Sequence, residues 1–314
     1  GGQAVGPVPG HVGEVRLRVG DGRGRVGAGV DVLGELHEHV LLVRVRAQAD
    51  RAGEPPEDER GLPVGEQDDA DADRAEEELL SIVPQERRRP YDMRRLLELV
   101  VDKDSSFEVQ PTFGRAVFTI LARMSGRPVG VIAHNPAYYG GAVDPKSARK
   151  QTRFIRLCDI FHIPIVFFVD TPGFLVGRKA EEEGMIRDGV DSMAALLKAR
   201  VPVLTVIVRK CYGIAGTVPF DKNGVDFQVA WPSAEWGSLP IEGGVAVAFR
   251  REIAAAADPK KREAELEKEL RELASPFLTA QAFAVEDVID PRLTRPLLCR
   301  FLDAAQNRLR ADFG

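Results

Sequence analysis

The chain has 314 residues, 44% of them hydrophobic and 29% charged, with a formal net charge of −5; this is the make-up of a soluble globular protein. The acidic balance excludes the basic footprint that nucleic-acid binding requires, and no apolar run approaches the roughly 20 residues that cross a bilayer. Cys158, Cys211 and Cys299 are scattered and lack Cys-x-x-Cys spacing, which excludes a disulfide framework or zinc ribbon and fits a reducing cytoplasm.

In chain order, residues 1–77 stand apart. No Ser, Thr, Ile, Lys, Asn, Phe, Tyr, Trp, Met or Cys occurs before Ser81, and the stretch ends in the acidic "GEPPEDERGLPVGEQDDADADRAEEE". Such a composition can bury little, so residues 1–77 are expected to be a low-complexity segment without a compact core. The absent types are largely those of AT-rich codons, so part of residues 1–65 is expected to be GC-rich sequence read from a wrong start or frame. Gly22, Gly24 and Gly27 spell G-x-G-x-x-G, but Asp31 and Glu35 come too early for the ribose contact and glycines recur where a helix should follow. His37 and His39 sit at i, i+2, which a helix does not bring together, and no third metal ligand is near. Both are set aside.

Residues 78–314 read as a folded α/β domain. "RRPYDMRRLLELVVD" places Leu96, Leu97 and Val100 on one helical face. "FGRAVFTILARM" and "RPVGVIAHN" are predicted strands joined through "SGRP". A helix follows with Asp144 as N-cap, Pro145 at its first position, and Phe154, Leu157, Cys158 and Phe161 at helical spacing. "PIVFFVD" and "PVLTVIVRK" are continuous apolar runs, expected of strands covered on both faces, and "EEGMIRDGVDSMAALLKA" is the helix between them. This alternation predicts a layered α/β fold. "DPKKREAELEKELRELA" is predicted as a solvated helix or one laid against a partner.

Three small-residue loops follow strands: "NPAYYGGAVDP", "VDTPGFLVG" and "KCYGIAGTVP". Turns and helix starts of this kind expose backbone N–H donors. Two donors aimed at one point can hold an oxygen that gains negative charge, worth about 3–4 kcal/mol each. There is no G-x-S-x-G, H-E-x-x-H or Walker loop. His134 and His162 are candidate bases, with a structural role favoured for His162. Asp170 could orient a loop or, less favoured, transfer a proton; Tyr138, Tyr139 and Tyr212 read as pocket-lining or packing, and Arg187 as a surface or loop anchor. An enoyl-CoA hydratase or isomerase would need a carboxylate near an oxyanion loop, and neither "NPAYYGG" nor "CYGIAG" supplies one.

Together these stretches, with "GGAVDPKSARKQTRFIRLCDIFHIPIVFFVDTPGFLVG", "VPVLTVIVRKCYGIAG" and "VAWPSAEWGSLPIEGGVAVAFR", resemble the carboxyltransferase (β) subunit of biotin-dependent acyl-CoA carboxylases, of the propionyl-CoA and acetyl-CoA carboxylase type. The likeness runs from about residue 78 to 310 and corresponds to the C-terminal half of that subunit, which implies a crotonase-like (ClpP/crotonase) fold. It implies that carboxybiotin on a carrier gives up CO2, that the biotin enolate so formed takes the α-proton of an acyl-CoA, and that the acyl enolate attacks the CO2, with oxyanions held by backbone N–H groups. Carried over, Ile214 and Ala215 are the candidate donors on the biotin side, Gly141 and Ala142 the candidates for the opposing loop, and Tyr212, Gly213, Gly216 and Thr217 the cofactor-binding surround; no metal is implied. Many relatives read Tyr-Gly-Gly-Ala-Tyr-Asp where this chain has Tyr212, Gly213, Ile214, Ala215, Gly216 and Thr217, and the position of Thr217 helps to set acyl-chain preference where it is aspartate. The implied partners are a biotin carboxylase, a biotin carboxyl carrier protein and a carboxyltransferase N-terminal half, within a homo- or hetero-oligomer. The alternatives are a biotin-dependent decarboxylase component, or a non-catalytic assembly module from a truncated subunit.

Overall fold

Alternate residues of the strand Ile165–Thr171 face opposite ways, and each set finds its own core. Val166 and Phe168 join Leu97, Val131, Leu204, Val206 and Leu298 on one side, whereas Ile165, Phe167 and Val169 join Ile132, Phe154, Ile155, Met185 and Ile207 on the other. That parity defines a sheet with helices on both faces, as the continuous apolar runs require. The computed structural model describes residues 69–217 and 227–313, so the Gly22–Gly27 pattern and the His37/His39 pair lie outside the described residues.

The sheet holds β1 (Phe107–Glu108), β2 (Val117–Met124), β3 (Arg127–His134), β4 (Ile165–Thr171), β5 (Val203–Tyr212), β6 (Phe227–Ala230), β7 (Glu235–Gly237) and β8 (Asp287–Val288). Its order is β1-β2-β3-β4-β5-β6-β8, with β7 paired to β5 beyond the end of β6. The β1–β2 and β2–β3 pairs are antiparallel and all others parallel. Ser125 and Gly126, with φ of 50° and 74°, make the two-residue turn between β2 and β3 that matches strand twist.

The helices are α1 (Asp69–Ala72), α2 (Met93–Val100), α3 (Pro145–Ile160), α4 (Arg178–Glu182), α5 (Met185–Lys198), α6 (Gly213–Thr217), α7 (Ile241–Ala248), α8 (Arg250–Ala255), α9 (Pro259–Leu273), α10 (Pro276–Gln281) and α11 (Thr294–Phe313). The predicted cap of α3 is present: Asp144 Oδ1 accepts the Ser147 N–H at 3.1 Å, ahead of Pro145. Among the described residues, no helix is long and apolar enough to cross a membrane.

Four expectations shift. β2 begins at Val117 rather than Phe113, because Gly114 turns at φ +58° and lies so close to Lys146 that a Cβ would stand 2.8 Å from its carbonyl oxygen. The helix expected around Met185 is split, since Gly184 adopts a left-handed conformation (φ 89°) between α4 and α5. α9 is laid on its own chain: Leu266 is buried with Tyr212, Ile241, Val245 and Ile253. Residues 69–77, grouped by composition with the preceding segment, are tied to the domain, because Asp71 receives the buried guanidinium of Arg295 at 2.5 Å.

Candidate active site

Parallel strands β3, β4 and β5 deliver their C-terminal ends, and hence the three small-residue loops, to one edge of the sheet. The 139–141 turn and the β5 tip meet through Lys210, whose Nζ donates to the Gly140 carbonyl. The loop after β4 joins them: Val143 N–H donates to Gly173 O at 3.0 Å, and a Cβ on Gly173 would lie 3.6 Å from Tyr212 O.

At the tip, Gly213, Ile214 and Ala215 open the five-residue helix α6, directly after β5. Gly213 has φ of +59°, which a side chain would oppose. Ile214 turns its side chain outward, 58% exposed, while Ala215 is buried. Gly216 is fixed by packing: a Cβ there would come 2.7 Å from the Cys211 carbonyl carbon. Thr217 is the last residue of this helix.

Two expectations on site residues are corrected. The N–H groups of Gly141 and Ala142 already donate to Tyr138 O and Tyr139 O, each at 3.0 Å; the tight turn spends them, so they do not form an open donor pair. Gly141 instead permits a close approach, since a Cβ would stand 2.2 Å from the Asp170 carbonyl oxygen. Tyr212 does not line a pocket either: its side chain is buried in the cluster with Ile241 and Leu266. Tyr139 is exposed beside Tyr138, their rings 4.4 Å apart, and the Arg115 guanidinium covers Tyr138.

His134 and His162 separate. His134 lies under the site, buried, with its Nδ1 accepting the Asp170 N–H at 3.4 Å; burial pushes its pKa down to about 4, against the pull of Asp170. His162 is exposed and precedes β4, at the opposite end of that strand, roughly 20 Å away by strand rise. Arg187 anchors locally, with Nε 3.3 Å from Asp188 Oδ1.

Beneath the loops lies a charged group that the sequence reading did not assemble. Arg209 places Nη2 3.0 Å from Asp170 Oδ2, gives Nη1 to the carbonyls of Arg87 and Arg89, and stacks over Tyr91 at 4.9 Å. Burial, reinforced by Asp170, holds the Tyr91 hydroxyl well above its usual pKa. Arg87 pairs in turn with buried Glu235. The available signal was two apolar runs closing in opposite charge, "FVD" at Asp170 and "IVRK" at Arg209.

Residues 52–313 match the family described as the carboxyl transferase domain. The chain is 42% identical over 244 residues to the propionyl-CoA carboxylase carboxyltransferase subunit of Haloferax mediterranei, covering 77% of this chain and 45% of that one. It is 36% identical over 233 residues to methylmalonyl-CoA decarboxylase subunit alpha of Veillonella parvula, covering 74% and 44%. Among solved structures, a transcarboxylase 12S crystal structure with methylmalonyl-coenzyme A and methylmalonic acid bound aligns with a TM-score of 0.70 at 36% identity, over 75% of this chain and 46% of that one. The geranyl-CoA carboxylase β subunit of P. aeruginosa aligns at 0.67 and 26% identity, over 85% and 50%. The fold is thus the crotonase-like one expected, and the chain spans about half the length of the relatives it matches.

Proposed function

Because this chain belongs to the carboxyl transferase domain family, we propose that it is the carboxyltransferase component that moves a carboxyl group from carboxybiotin to the α-carbon of an acyl-CoA. The observation that carries the reading is the β5 tip, a helix start built on Gly213 at the shared C-terminal edge of the parallel strands. The residues fit biotin's ureido group: a neutral carbonyl that gains negative charge needs N–H donors and close approach. Among the described residues, a Cβ on Gly213 would find nothing nearer than Ser238 O at 3.7 Å. Ile214 and Ala215 would hold the ureido oxygen through their N–H groups, and Gly213 and Gly216 keep the backbone accessible and set. When bound, carboxybiotin supplies the carboxyl group. The chain's part is electrostatic and positional, each donor contributing about 3–4 kcal/mol to a developing oxyanion.

The donors for the thioester oxygen come from a complementary N-terminal half, consistent with a chain that matches 45% of its Haloferax relative. A biotin carboxylase and a biotin carboxyl carrier protein complete an oligomeric assembly in the cytoplasm, in fatty acid metabolism. Thr217, where many relatives carry aspartate, sits where acyl-chain preference is set. The similarity to methylmalonyl-CoA decarboxylase subunit alpha supports a second reading in which the same site runs toward decarboxylation. The test is biotin-dependent CO2 release from methylmalonyl-CoA by the chain mixed with a separately expressed N-terminal half. Release that needs both proteins and biotin is expected; no release from a co-eluting pair overturns the enzymatic reading in favour of an assembly module.

A further inference from the structure

β4 and β5 lose register at the site. Val169 is opposite Ile207, but Thr171 is opposite Cys211, so Asp170 alone faces Val208, Arg209 and Lys210. Such a bulge bends a strand and takes backbone groups out of the ladder, and in a fully buried position each displaced group needs another partner. Asp170, with no exposed surface, takes part in these bonds through its N–H and its carboxylate. Its carboxylate Oδ1 accepts the displaced Lys210 N–H at 3.2 Å and faces Lys210 Nζ at 3.6 Å. Its Oδ2 lies 3.0 Å from Arg209 Nη2. Its N–H reaches across to β3, to His134 Nδ1, and its carbonyl is the surface on which Gly141 rests.

We propose that Asp170 is the positioning residue of the site: its carboxylate fixes the β5 tip, and through Lys210 the 139–141 turn, in the one arrangement that aims the α6 donors. This deepens the proposed function and rests on it for the identity of what is aimed. A carboxylate suits the task because it accepts bonds from the Lys210 main chain and from Arg209 at once, whereas an amide would turn an N–H toward one of these donors. A misplacement of about 1 Å at such donors costs on the order of 100-fold in rate.

The experiment pairs Asp170→Asn with amide hydrogen exchange and with kinetics on propionyl-CoA and carboxybiotin, in the presence of the complementary half. Exchange at 210–217 and 138–143 is expected to rise while that of β2 and β3 is unchanged, and kcat to fall on the order of 100-fold with KM for propionyl-CoA unchanged. If the lone substitution prevents folding, the double substitution Asp170→Asn with Arg209→Gln removes the uncompensated charge; it is expected to fold and to keep both the raised exchange and the low kcat. Unchanged exchange at 210–217 in either folded variant overturns the proposal, as does wild-type kcat. An inactive wild-type chain would count against the functional reading alone, since the exchange measurement still decides the role of Asp170.

Discussion

Arg295 places Nη2 2.6 Å from Asp102 Oδ1, joining residues 193 positions apart, and the same guanidinium donates to Val100 O at 2.7 Å and to Asp71 O at 2.6 Å. One buried side chain thus holds α1, the end of α2 and the start of α11. Arg295→Met keeps the volume but strips two carbonyls and the Asp71 and Asp102 carboxylates of this donor, leaving Asp102 the Ser125 and Gly126 N–H groups and Asp71 the Arg74 guanidinium, a loss of about 3 kcal/mol. Urea unfolding checks this, and residues 69–74 should become protease-sensitive before the sheet unfolds.

Gly141 and Gly177 offer a controlled comparison. Both have positive φ, 90° and 126°, but an added Cβ would strike Asp170 O at 2.2 Å in the first case and meet nothing within 4 Å among the described residues in the second. Gly177→Ala should cost roughly 1–2 kcal/mol, the backbone penalty alone of a conformation (φ 126°, ψ 159°) that glycine adopts readily. Gly141→Ala should cost roughly 3 kcal/mol and abolish transfer, because the turn must leave Asp170. Equal stabilities of the two variants would contradict the close packing.

His134 makes stability fall on acidification. Its pKa is lowered from 6.5 to about 4 by burial, so between those values the unfolded chain binds a proton that the native state does not. Its contribution is complete above pH 6.5 and is lost as pH falls toward 4, by roughly 3 kcal/mol. His134→Gln, which retains an acceptor for the Asp170 N–H, should flatten that part of the stability–pH curve.

Ala215→Pro removes a single N–H within the first turn of α6, where proline costs the helix no internal bond. Carboxyl transfer should drop by about two to three orders of magnitude, with biotin carboxylation by a separate carboxylase unchanged; a lower melting temperature accompanies it, because Ala215 is buried and proline disfavours the helical conformation of Ile214. Wild-type transfer would remove Ala215 from the donor role.

Much of this was legible in the sequence because local rules wrote it. The buried strands read as β-branched runs, α3 announced itself through Asp144 and Pro145, and Gly213–Gly216 marked a close approach. What stayed hidden depends on distant partners. Nothing near Asp170 says that Arg209 lies opposite, or that a bulge frees Lys210 N–H to meet it. The spent amides of Gly141 and Ala142 follow from left-handed φ values at Tyr139, Gly140 and Gly141, which a tyrosine does not advertise. Tyr212 borders a glycine loop in sequence but is covered by α7 and α9, elements that begin about 30 residues or more further on.

The most direct measurement is a crystal structure of the chain, assembled with its complementary half, with biotin bound. The account predicts the ureido oxygen about 3 Å from the Ala215 nitrogen, beside Gly213 and above the Asp170–Lys210 link. Biotin bound elsewhere, with the Ala215 amide donating to its own backbone, would contradict it.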